Sequence, residues 1–171
     1  MRIAKSTRVV FGTLCVLGLA GGTTLGLAGG TALATPGTGI QVMPLAQGAL
    51  PGSIDSTVKV AGSRVGVKTR GNLDVFVALV TIPPGGNSGW HSHAGPVFTV
   101  VKQGTLTTIE AKGCKEETLQ AGQARYDDKF ADNEIAVNRG TEPVVVVQTF
   151  VLPHGASPPV DQPAAAGCPS S

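Results

Sequence analysis

The chain has 171 residues, enough for one domain with a proper core, and a formal net charge of +2. That excess lies at the N-terminus, where Arg2, Lys5 and Arg8 precede an apolar, glycine-studded stretch from Val9 to Ala34. Without its first 34 residues the chain has 137, with 10 Lys+Arg against 11 Asp+Glu, a net of about −1. This leaves no basic patch to suit nucleic acid or an anionic membrane.

Residues 1–34 read as a Sec-type signal peptide: a basic start, an apolar run and Ala32-Leu33-Ala34 as an Ala-x-Ala cleavage site before Thr35-Pro36. A secreted or extracytoplasmic protein is the consequence. The rival reading is an uncleaved membrane anchor, because the stretch is long enough to span a bilayer. Cys15 follows Gly-Thr-Leu, a poor lipobox, so lipidation is discounted.

Residues 35–56, rich in Gly, Pro and Ser, read as a partly ordered arm that adds an edge strand. From 57 to 152 the pattern is short strands and turns, with turn signals about every ten residues, which indicates a sandwich or barrel. Weak strands are predicted at Lys59 to Lys68, Thr118 to Gln120 and Ile135 to Asn138. Leu73 to Ile82 is apolar on both faces, and Val144 to Leu152 reads as a doubly buried, central strand. Val97 to Gln103 and Thr105 to Glu110 flank Gly104 as a hairpin. Residues 153–171 form a tail. An even pair of cysteines in an exported chain predicts a disulfide between Cys114 and Cys168, tying that tail back; two free thiols are the alternative. There is no internal repeat and no second domain.

The densest chemistry lies in Gly85-Gly86-Asn87-Ser88-Gly89-Trp90-His91-Ser92-His93. Side chains at i and i+2 of a strand share a face, so His91 and His93 can aim two imidazoles at one point. Unsupported, a His-x-His is a weak sign of a metal site. Here Gly85 stands before it and Gly104 closes the next strand.

The frame Gly85-x5-His91-x-His93…Gly104 resembles the first motif of the cupin superfamily, in particular small secreted single-domain bacterial cupins of the conserved-barrel type. The resemblance covers roughly residues 60 to 168 and implies an all-β, cupin-like double-stranded β-helix (jelly-roll) barrel, often with a metal in its lumen. Two departures stand out. Val97 occupies the position of the family's glutamate. In the second motif, from Gly122 to Asn138, Glu134 replaces a histidine, Asp128 and Phe130 replace the Pro-x-Gly pair, and one residue is extra. Some cupins of this kind carry a second His-x-His whose members fall on Asp132 and Glu134.

Two imidazoles and a carboxylate make the facial triad that holds iron(II), manganese or zinc with open positions. His91, His93 and Glu134 are therefore the candidate ligands, with Asp132 as a fourth ligand or outer-shell base. The competing reading places Asp127, Asp128, Asp132 and Glu134 on a solvated acidic loop. Trp90 and Tyr126 are expected to pack the barrel; Arg125 faces either solvent or an anionic ligand in the lumen, with solvent favoured; His154 falls in the tail. Nucleophile-elbow and phosphate-loop motifs are absent. The expectation is an exported cupin with a divalent metal (Fe, Mn, Zn, Ni or Cu) in its lumen and undetermined activity, or a binding or structural cupin whose site has decayed and is metal-free. A small-molecule ligand in the barrel and a homodimer are the expected partners.

Overall fold

The computed structural model describes residues 35–127 and 133–171. The signal-peptide reading of residues 1–34 and the candidate ligand Asp132 lie outside the described residues, as do Asp128 and Phe130.

Among the described residues, twelve strands form two five-stranded antiparallel sheets and a separate hairpin. The first sheet runs β1 (Gln41–Leu50), β4 (Leu73–Ile82), β11 (Val144–Pro153), β6 (Val97–Gln103), β9 (Ala124–Asp127). The second runs β12 (Pro159–Asp161), β5 (His91–His93), β10 (Glu134–Val137), β7 (Thr105–Glu110), β8 (Lys115–Gln120). The sheets enclose a lumen, and the barrel is a double-stranded β-helix. β11 is central, as its continuous apolar run requires: one face carries Val144, Val146, Phe150 and Leu152 into the core, while β4 and β6 take its two edges.

The N-terminal arm contributes more than a short edge. β1 pairs with β4 from Gln41 to Leu50, with a bulge at Pro44/Ala46, the kind of irregularity that proline tolerates on an edge strand. The segment predicted as one strand from Lys59 to Lys68 is instead a hairpin, β2 (Asp55–Val60) and β3 (Ser63–Lys68), turned through Ala61-Gly62. Val58, Val60, Val65 and Val67 on it are exposed. The tail adds β12 to the second sheet, directly beside the His strand, and the Cys114–Cys168 disulfide closes it back onto the β7–β8 turn.

The glycines of the motif frame have a physical role. Gly104 turns β6 into β7 at φ 77°, and a Cβ there would meet Pro143 O at 2.7 Å. Asn138, where the second motif ends, is buried; its Nδ2 donates to the Ile82 and Glu142 carbonyls, and its Oδ1 accepts from Gly140 N. Backbone bonds from Gly85 N to Asn138 O and from Asn138 N to Gly86 O lock the two motif loops together. Trp90 packs the core as predicted, fully buried with Ile109, Ile135 and Val137. Tyr126 does not: it is 53% exposed and stacks on Phe98 outside the barrel, because it alternates with the inward Arg125 and Asp127.

Candidate metal centre

His91 and His93 are both buried on β5, ring centroids 4.8 Å apart and nearly perpendicular. Ser92, between them, points the other way and accepts a hydrogen bond from Gln162 Nε2. Glu134 opens β10 opposite His91, so carboxylate and imidazole project from one face. Donor atoms of His91, His93 and Glu134 lie within 4.8 Å of one another. The Glu134 of the acidic-loop reading is thus buried on a strand.

Each imidazole is oriented through Nδ1. That of His91 lies 2.9 Å from the Gly89 carbonyl and 3.3 Å from Ser88 Oγ; that of His93 lies 3.4 Å from the Pro158 carbonyl. A carbonyl can only accept, so the 2.9 Å contact places the His91 ring proton on Nδ1 and leaves its Nε2 as the free base, whereas His93 meets an acceptor at each ring nitrogen, the Pro158 carbonyl at Nδ1 and Glu134 at Nε2. An Nδ1 anchored on a carbonyl is how metal-ligating histidines are commonly held. His93 Nε2 faces Glu134 Oε1 at 3.3 Å and Asp127 Oδ2 at 3.9 Å. The donor set, two imidazoles held by the Gly89 and Pro158 carbonyls and a buried carboxylate, fits a divalent first-row metal.

Sequence reasoning underrated two residues. Arg125, which it inclined toward solvent, has a side chain only 10% exposed, with Nη2 2.8 Å from Glu134 Oε2 and 3.5 Å from Asp127 Oδ2. Its buried Nε has no hydrogen-bond partner among the described residues; the Glu117 carboxylate is 3.7 Å away. Asp127, assigned to the acidic loop, is buried on β9. Arg125-x-Asp127 is a second i, i+2 pair facing the lumen, and that spacing was the available signal. His154 is exposed and meets Asp74 at 3.0 Å, away from the site.

Beyond the polar cluster the lumen is a cavity of about 480 Å³, lined on its apolar side by Phe76, Val80, Ile82, Val146 and Phe150. Burial and the neighbouring His93 hold the His91 pKa below its ordinary value. For Glu134, burial acts to raise the pKa, but the His93 hydrogen bond and the Arg125 charge prevail and bring it to about 2.

Both groups therefore bind protons more readily in the unfolded chain, and stability is lost as pH falls. Metal-free protein should begin to lose stability below about pH 6.5, where unfolded histidine protonates. A further loss of about 3 kcal/mol should follow between pH 4.5 and about 2 as Glu134 is titrated. Urea melts across pH 2.5 to 8 test this. In Glu134→Gln the lower phase should vanish; its persistence at full size would assign the acid lability elsewhere.

Residues 78–151 match the family model for the cupin domain. Among solved structures, the chain is similar to a Cupin 2 conserved barrel domain protein from Salinispora arenicola, at 16% identity and a TM-score of 0.41, over 47% of this chain and 64% of that one. It is similar to a cupin domain from Bordetella pertussis at 22% identity and a TM-score of 0.41, over 60% and 96% of the two chains. Similarity to a variant of Bacillus subtilis oxalate decarboxylase has 27% identity and a TM-score of 0.44, over 51% of this chain but only 23% of the decarboxylase. The chain thus spans less than two thirds of the Salinispora protein and about a quarter of the decarboxylase. No curated protein matches it. The family match runs from β4 into β11 and encloses His91, His93 and Glu134; with its two-sheet barrel and paired motif loops, the chain carries a cupin domain over residues 78–151.

Proposed function

We propose that the protein is an exported cupin that binds a divalent metal ion through His91, His93 and Glu134 and receives a small molecule in the barrel lumen. The observation that carries this reading is the arrangement of both imidazoles, each anchored at Nδ1 and each with a donor atom within 4.8 Å of the same buried carboxylate. A bound metal would supply a Lewis acid at the inner end of the cavity. The chain's own residues do the rest: the Gly89 and Pro158 carbonyls fix the rings, Arg125 holds the Glu134 carboxylate, and the apolar wall excludes water from a ligand's body. A cavity of about 480 Å³ suits a ligand with an apolar body and one polar end. The outer edge of β1, unpaired among the described residues, supports pairing of two copies as a homodimer.

A second reading, a binding or structural cupin without metal, is favoured by one contact. The 2.8 Å Arg125–Glu134 ion pair already neutralises the carboxylate. The deciding experiment is purification from a secreting host without chelator, followed by intact-mass and elemental analysis. A mature chain starting near Thr35 with close to one equivalent of iron, manganese, zinc, nickel or copper is the expected result. Retention of residues 1–34 would overturn export, and a metal-free protein that also fails to take up added metal would overturn the metal site.

A further inference from the structure

We propose that Asp127 is a further metal ligand of this site, supplying from β9 the carboxylate that β6 lacks at Val97. This rests on the metal-binding reading above and extends its donor set to two histidines and two carboxylates.

Register places the residue. Val97 on β6 and Asp127 on β9 are direct cross-strand partners, so their side chains project from the same face. The next pair, Phe98 with Tyr126, faces outward, and Thr99 with Arg125 faces inward again. Asp127 thus stands one strand away from the position four residues after His93, on the same side of the sheet. Its carboxylate is buried, with Oδ2 3.9 Å from His93 Nε2.

Its distance to His93 suits a ligand. Two donors on a tetrahedral ion with bonds of about 2.1 Å stand about 3.4 Å apart. His93 Nε2 and Glu134 Oε1 already meet that spacing at 3.3 Å, and Asp127 Oδ2 is about half an ångström beyond it. Side-chain torsion covers such a gap without moving a strand.

The test uses the full chain, stripped with chelator and titrated with Zn²⁺ by calorimetry. Asp127→Asn should weaken binding by about 100-fold or more, and adding Val97→Glu to it should restore affinity to within about 5-fold, because the new carboxylate rises from the adjacent strand on the same face. A purely structural role for Asp127 gives no such rescue. Unchanged affinity in Asp127→Asn, with binding abolished in His91→Ala, overturns Asp127 as a ligand and leaves the metal site standing. Unchanged affinity in His91→Ala overturns the metal site itself. A Zn²⁺-soaked crystal structure of the unsubstituted protein decides without any variant: Asp127 Oδ2 within about 2.3 Å of the ion supports the assignment, and a separation beyond about 3.5 Å overturns it.

Discussion

Alanine at His91 or at His93 abolishes binding of Zn²⁺ or Mn²⁺ to the chelator-stripped protein, while leaving a folded barrel. The expected loss exceeds the roughly 10- to 100-fold typical of changes outside the first coordination shell, because each substitution deletes a donor atom itself. Glu134→Gln keeps shape and loses charge, and it should also weaken binding more than that range. The folded state survives because the site's neighbours do not depend on the rings. β5 is held by backbone bonds to β10 and β12, and Trp90 beside it is anchored in its own buried cluster. His93 packs against Phe150 with centroids 5.7 Å apart, so His93→Ala should cost more stability than His91→Ala. Calorimetric titration beside thermal melts measures both. Alanine variants that bind metal as tightly as the original chain would show that the ions sit elsewhere, and the facial triad would fall.

The strands of the barrel and the histidine pair were legible because each is encoded locally. The turn at Gly104 marked the spans of β6 and β7, although these strands enter different sheets instead of pairing as the expected hairpin; unbroken apolar runs fixed β4 and β11, and i, i+2 spacing alone put His91 and His93 on one face. Glu134 was found through a departure from a motif, and its burial follows from pairing with His91, a non-local fact. Arg125 and Asp127 were misjudged for the same reason. A charged residue on a short strand reads as solvated until the partner strand is known, and only the Val97–Asp127 register turns β9 inward. Tyr126 was misjudged by the converse rule, since an aromatic residue reads as core although period-2 alternation between two inward residues obliges it to face water. The tail was the least legible part. Pro158, Pro159 and the residues after them look like linker, yet Pro159–Asp161 completes the sheet beside the histidines.

Loss of the Cys114–Cys168 disulfide should reduce both stability and metal affinity. The bridge spans 54 residues of sequence, and closing a loop of that length in the unfolded chain contributes about 4 kcal/mol on the chain-entropy estimate. For a domain of this size that corresponds to a fall in Tm of roughly 10–20 °C in a Cys114→Ser, Cys168→Ser protein. The effect on the site is separate and arises from what the bridge holds down. Both cysteines pack against the Trp90 cluster with Ala111 and Ala165. Ahead of Cys168 in the tail, Gln162 N donates to Trp90 O, β12 pairs along His91–His93, and the Pro158 carbonyl orients His93 Nδ1. Beyond Cys168, Ser170 Oγ accepts from Trp90 Nε1. Freed of its covalent end, this segment exchanges on and off β5, and His93 loses its orienting carbonyl for part of the time. The double serine variant should therefore bind Zn²⁺ about 10- to 100-fold more weakly at a temperature where its barrel is fully folded, the range expected when an outer-shell partner is lost. Calorimetry well below the new Tm separates the two effects. A variant with a lowered Tm but unchanged affinity would show that β12 stays docked without its tether, and that the tail stabilises the fold without tuning the site.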